Sequence, residues 1–336
     1  MLFLASMLGL IAVGGVALSA GFSAEPDESD EAEDQMDEAL PDSATNKTTP
    51  MDFATDGADQ ILSGTDTNDQ ILGGTGNDQI NGYGGDDVIS GGDGNDDLHG
   101  SEGQDKLSGS AGDDPLHGED GADMLSGDTG DDMMFGHNDD DLLLGGDGDD
   151  EMYGGDGDDT LQGEDGNDAL HGGLGDDVLT GGAGQDVLFG GAGDDLISGI
   201  ETEDELGVPD AHADANQDFL NGGTGDDTIL AGEGDVVTSG DGEDDIVLGD
   251  WIADGEAAEL MDFENGKDQL LMVYDLEDNP DPEIDIVADT QTPGLSHVFV
   301  DGKEIAMVHS VSPLTEDDIV LMDHADGASF SLSMVS

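Results

Sequence analysis

The sequence predicts an all-β solenoid built from two sheets and closed by a small C-terminal β cap. Three observations predict it. A nine-residue rhythm of glycine, aspartate and one large aliphatic runs without a gap from Gly73 to Ser198. A second rhythm of eighteen residues divides the nine-residue units into two alternating chemical classes. After Trp251 the rhythm stops and short alternating apolar runs replace it.

The fourteen units of 73–198 all start on glycine, from Gly73 to Gly190. Position four is also glycine except at Asp139, and position eight is always Ile, Leu or Met, from Ile80 to Ile197. Position six is aspartate throughout: Asp78, Asp87, Asp96, Asp105, Asp114, Asp123, Asp132, Asp141, Asp150, Asp159, Asp168, Asp177, Asp186 and Asp195. The first six positions are turn-like, because glycine supplies the positive φ values of tight turns. The last three alternate, so the aliphatic faces one way and its neighbours the other. One unit cannot bury a single aliphatic, but stacked units can. An aspartate beside turn carbonyls makes an all-oxygen environment, which suits Ca²⁺ better than the stricter octahedron of Mg²⁺.

Position nine reads His99, His117, Phe135, Tyr153, His171 and Phe189 in one alternate set of units. In the other set it reads Ser90, Ser108, Ser126, Leu144, Gln162, Thr180 and Ser198. The period is therefore eighteen, two units per coil, each contributing to a different sheet. The units fit G-G-x-G-x-D-x-U-x, where U is a large aliphatic, and so resemble the RTX, or haemolysin-type, calcium-binding repeat family. The resemblance implies a parallel β-roll with several calcium ions held in the turns. Asp139, Pro115 and Ala122 depart from the pattern and mark units expected to bind weakly.

Charge agrees with that expectation. The chain has 85 acidic residues against four lysines, a formal charge of −81, and residues 73–198 alone carry 34 acids and one lysine. Alone in cation-free water such a composition does not fold. Two stacks of seven turns leave about twelve gaps, and one Ca²⁺ in each would add roughly +24, so ion binding and folding are expected as one event. Nucleic acid is excluded as a partner, since no basic patch meets phosphates. The absence of cysteine excludes disulfides and thiolate zinc sites.

Upstream, residues 1–24 form an apolar segment. Its stretch Leu2 to Phe22 is long enough to anchor in a membrane, with a signal peptide as the alternative reading, Ala17 and Ser19 standing before a cut. Residues 25–53 are an acidic tether. The roll is expected over 54–250, with Asp69 at position six of a unit at 64–72 and Asp59 at position six of one at 54–62, Ser63 being inserted between them. Residues 199–212 break the register as a surface loop. A degenerate unit follows at 213–221, then Asp227 and Asp244 take position six. Residues 251–336 form the cap, with Asp301-Gly302 as a hairpin signal. It resembles the cap found after RTX repeats, and the resemblance implies a type I export signal in the tail SFSLSMVS.

There is no H-E-x-x-H and no G-x-S-x-G, and no nonrepetitive block is large enough for a catalytic domain. His99 and His117 sit one coil apart and read as surface residues rather than as ligands of a shared transition metal. Their column reads as a stacking ladder in preference to a sugar- or partner-binding strip. The expectation is a noncatalytic, secreted or surface-anchored calcium-binding protein, serving a coat, adhesion or spacer role toward cell-surface components or polysaccharide. The alternatives are a polysaccharide-modifying enzyme whose active residues lie in the C-terminal region and a carbohydrate- or protein-binding module carried on the roll.

Overall fold

A computed structural model describes residues 51–52, 57–200, 217–252, 257–276, 280 and 282–323, all within one compact unit, Lys47–Ser336. The apolar segment Leu2 to Phe22, most of the 199–212 insertion and the tail SFSLSMVS lie outside the described residues. Among the described residues no helix is long and apolar enough to cross a membrane.

The chain winds as a parallel β-roll. Successive units feed strands alternately to two sheets. Thirteen described strands form one sheet, from Met51–Asp52 to Ile319–Asp323, and fourteen form the other, from Ile61–Ser63 to Ile284–Ala288. Neighbours in a sheet pair eighteen residues apart, as Val88 with Lys106 and His99 with His117. The eighteen-residue period of position nine is thus the pitch of the coil.

Each full strand is six residues long, for example Val88–Asp93 and Lys106–Ala111. It covers positions seven to nine of one unit and one to three of the next, so the turn is confined to positions four to six. The sequence reading made all six leading positions turn. The difference arises because the coils lie in register: the backbone of positions two and three pairs with the same positions above and below, as Gly92 with Gly74 and Ser110. Backbone groups that an isolated turn would leave to water are bonded instead. Position two nevertheless keeps a left-handed φ, even where it is not glycine, as at Ser101, Glu119 and His137.

Positions one, six and eight point inward. The aliphatics from Ile71 to Ile197 form a continuous buried file. Burying one leucine stabilises by roughly 2 kcal/mol, whereas ordering the nine backbones of a unit costs roughly 9 kcal/mol or more. Apolar burial alone therefore does not hold a coil.

The first unit is displaced by one residue from the sequence reading. Ile61–Ser63 pairs with Gln79–Asn81, which puts Leu62 inside and leaves Ile61 81% exposed. The unit is 55–63, with no insertion at Ser63, and Gln60 occupies position six while Asp59 falls at position five. A slip of one residue exchanges the faces of a strand, and the larger buried ladder selects Leu62.

At the 199–212 insertion the pairing offset grows from eighteen to thirty-two, Val187 facing Phe219, and the stack then resumes. One later unit is a residue short, since Phe219 pairs with Val236. The roll then runs into the cap without a break: Asp245–Gly249 pairs with Gln269–Tyr274 and that strand with Ile319–Asp323, all parallel. In the other sheet Ala258–Phe263 pairs parallel with Lys303–Ser310, after which two antiparallel strands finish the edge. Asp301-Gly302, both at positive φ, turns the hairpin between Leu295–Val300 and Lys303–Ser310.

Candidate metal centre

The position-six aspartates stand at the entrance to each strand, and stacking places them in two columns. One holds Asp69, Asp87, Asp105, Asp123, Asp141, Asp159, Asp177, Asp195, Asp227 and Asp244. The other holds Asp78, Asp96, Asp114, Asp132, Asp150, Asp168 and Asp186. Within a column each main-chain N–H donates to Oδ1 of the aspartate one coil on, as Asp96 to Asp114 at 2.6 Å and Asp132 to Asp150 at 2.8 Å. The thread continues across the insertion, where Asp186 donates to Asp218 and Asp195 to Asp227, both at 2.8 Å.

The second oxygen is different. Oδ2 of Asp78, Asp87, Asp96, Asp105, Asp114, Asp123, Asp132, Asp141, Asp150, Asp159, Asp168, Asp177, Asp195 and Asp227 is buried with no hydrogen-bond partner. Each lies against the position-one glycine of its own unit, and at Asp78 and Asp132, among others, a carbonyl oxygen of the next coil stands beside it. A methyl group at Gly127 would overlap Asp132 Oδ2 and stand 2.7 Å from the Gly145 carbonyl oxygen. Position one is glycine because two oxygens occupy the space a side chain would need.

Buried carboxylates stacked in columns resist ionisation. Burial, the largest cause, pushes Asp141 and Asp177 up to about 8. It pushes Asp123, Asp132, Asp168 and Asp195 up to about 7. Asp87, Asp96, Asp114, Asp150, Asp159 and Asp227 reach about 6. The N–H from the preceding coil pulls each back, and neighbouring carboxylates add to the rise. A buried carboxylate oxygen without a donor or cation is costly. An all-oxygen lining of carboxylates and main-chain carbonyls is the donor set of a hard divalent cation, so the residues present fit Ca²⁺.

Three column members were not foreseen from the sequence. Asp218 and Asp235 are buried and extend the second column, Asp218 donating to Asp235 Oδ1 at 3.0 Å. Asp268 ends the first, accepting from Asp244 at 3.4 Å. Asp218 falls at position six of the degenerate unit 213–221, which lacks the leading glycines, and units of irregular length hid Asp235 and Asp268, although each of the three is followed two residues on by an aliphatic, Leu220, Val237 and Leu270. Asp69 belongs to its column, donating to Asp87 at 2.7 Å, but its Oδ2 accepts from the Thr65 N–H and hydroxyl. It is half-buried and lacks the orphaned oxygen of the others.

A further ladder runs on the solvent side. Position-five carboxylates and amides accept from the N–H of position five in the following coil, as Asp131 from Asp149 at 3.1 Å and Asp158 from Asp176 at 2.9 Å. Ala122 has no such acceptor, and an open cleft lined by Asp86, Asp120, Asp139 and Asp140 lies around it. Asp139 takes the left-handed φ of 70° that glycine holds elsewhere. Pro115 begins its strand and cannot supply the bond that its counterparts Met133 and Lys106 give to Asp114 and Asp87.

The position-nine column is a stack of rings. Centroids of His99 and His117 are 4.6 Å apart, those of His117 and Phe135 4.8 Å, Phe135 and Tyr153 5.2 Å, and Tyr153 and His171 4.9 Å, all nearly parallel. Phe189 meets His171 edge-on. From His99 to His171 the ring faces turn to one another, whereas a sugar stacks on a free face. Burial, then the neighbouring His99 and His137, hold His117 below the usual imidazole value.

A family profile described as the RTX calcium-binding nonapeptide repeat, in four copies, matches residues 63–98, 99–134, 126–161, 135–170, 162–197 and 212–247. Together these cover just over half of the chain. A search of curated proteins returned no match.

Proposed function

Because this chain belongs to the RTX calcium-binding nonapeptide-repeat family and binds several Ca²⁺ ions through those repeats, we propose that it is a noncatalytic extracellular protein whose roll winds up when calcium arrives. Its ligands on this reading are the position-six aspartates, with Asp218, Asp235 and Asp268 added to those legible in the sequence and Asp69 the weakest. The observation that carries the reading is the row of buried, partnerless Oδ2 atoms. A bound ion supplies the positive charge that the side chains lack, and main-chain carbonyls such as those of Gly91 and Gly145, beside Asp78 and Asp132 Oδ2, add to an oxygen lining.

At low calcium the chain is extended by its own charge, which suits export. At extracellular millimolar calcium, where sites of this kind are typically half-filled or better, the coils stack and form a stiff rod. A stack of coils with two parallel sheets suits a surface-coat, adhesion or spacer role outside the cell, secreted or anchored there.

Calcium titration of the full chain, followed by circular dichroism with Mg²⁺ as control, tests this. A cooperative gain of β-structure with Ca²⁺ alone is expected, and D132N/D150N should need more calcium to reach it. Equal β-content in chelator and in calcium would end the proposal.

A further inference from the structure

Imidazole and carboxylate groups converge at one place on the ring column, away from the turns. Asp97, His99 and His117 each present a ligand atom, and these atoms lie within 4.8 Å of one another. Asp97 and His99 come from the same strand, Asp97–Glu102, on one face of the sheet, and His117 comes from the next strand, Pro115–Asp120. Asp97 Oδ1 is 3.0 Å from His99 Nε2.

The two imidazoles are also held from behind. Glu119 Oε1 is 2.9 Å from His99 Nδ1, and His137 Nε2 is 3.3 Å from His117 Nδ1. Both contacts reach diagonally, two residues beyond the eighteen-residue register. Glu119 and His137 sit at position two of their units with φ of 81° and 85°, a conformation that half of the fourteen regular units leave to glycine. A carboxylate or ring on the far nitrogen of an imidazole fixes its tautomer and turns the other nitrogen toward a ligand, which is the arrangement found behind metal-bound histidines. His171, in the same column, has only Tyr153 and Phe189 as ring neighbours.

We propose that Asp97, His99 and His117 form a site for a borderline divalent cation, Zn²⁺ in the first instance, with Glu119 and His137 as positioning residues. Two imidazole nitrogens and one carboxylate oxygen suit Zn²⁺, Ni²⁺ or Cu²⁺ and disfavour Ca²⁺, whose ligands are oxygens. The site therefore selects a different metal from the turns of the same roll. Its ligands come from two adjacent coils, so the ion clips one coil to the next on the outer face.

The test uses the full chain with calcium in excess, so that the oxygen-lined turns do not compete. Zn²⁺ is titrated by calorimetry, and Co²⁺ is added in its place to read the visible absorption of nitrogen-ligated cobalt. One Zn²⁺ per chain is expected, with affinity reduced at least tenfold in H117Q and in H99Q and unchanged in H171Q. E119Q should weaken binding less than H99Q does. Circular dichroism in calcium confirms that each variant is wound, and D97N, at a half-exposed position of the outer sheet face, gives the same reading should a histidine variant fail to wind. Equal Zn²⁺ affinity in H117Q and the parent, equal loss in H171Q, or no stoichiometric binding in excess calcium would overturn the site. Calcium content measured alongside keeps failure of the turns distinct from failure of the clip.

Discussion

Replacing Asp132 by Asn separates the role of its charge from the role of its shape. Oδ1 of Asp132 accepts the Asp114 N–H at 2.8 Å, and an amide oxygen can keep that bond. Oδ2 is buried without a partner. Burial first, and the Asp150 carboxylate among the charges, hold the group up at about 7, against the Asp114 N–H that lowers it. The ordinary value is about 3.9, so ionising Asp132 inside the metal-free roll at pH 8 costs up to about 4 kcal/mol, at 1.36 kcal/mol per unit. Asn removes that cost and also removes a charged ligand from the calcium-bound roll. The two effects have opposite signs. In chelator, with an osmolyte such as trimethylamine oxide driving compaction, D132N should wind at lower osmolyte than the parent. In saturating calcium its urea stability should fall by about 2 kcal/mol, the scale of one lost charge-assisted contact. Circular dichroism reads both arms. Equal destabilisation with and without calcium would refute the reasoning, since Asp132 would then act through packing alone.

Acidity should act in the same sense on the whole column. Carboxylates raised in the folded state to about 6 to 8 stabilise the metal-free roll fully below their ordinary value, and that stability is lost as pH rises through 6 to 8. In chelator the chain should therefore gain β-structure when taken from pH 8 to pH 5, while the calcium needed for winding rises as protons compete. Asp139→Gly removes a left-handed φ of 70° from a non-glycine residue and should raise urea stability in calcium by about 1 kcal/mol. Phe135→Ala deletes stacking on His117 and Tyr153 together and should lower it by about 1 to 2 kcal/mol, with calcium stoichiometry intact by direct ion analysis. Ala122→Asn should restore the missing acceptor of the solvent-side ladder and slow amide exchange at Asp140.

Most of the roll was legible because each inward position repeats at a fixed interval. Asp78 through Asp195, the buried file from Ile80 to Ile197 and the pairing of His99 with His117 all follow from counting by nine and eighteen. Legibility ended where the interval did. Asp235 and Asp268 lie in units of irregular length, Asp218 in a unit without its leading glycines, and the unit at 55–63 was displaced by one because Ile61 and Leu62 are equally good aliphatics in sequence. The bond of Glu119 to His99 runs at an offset of twenty, which no register of nine exposes. Asp69 looked like its neighbours, and only the nearby Thr65 hydroxyl distinguishes it.

Unlike those of the solvent-side ladder, which run the opposite way, the buried hydrogen bonds between position-six aspartates all point the same way: main chain in one coil, carboxylate in the coil after it. The stack is therefore unequal at its two extremities. Trimming coils from the amino-terminal side removes donors and leaves the remaining acceptors facing water or ions. Trimming from the carboxyl-terminal side strips buried amides of their only acceptor, beginning at Asp244 once Asp268 is gone. For these buried amides a coil is fully bonded only when the coil after it in sequence is in place, so the carboxyl-terminal extremity is the one that needs a lid, and Asp268 supplies its last acceptor.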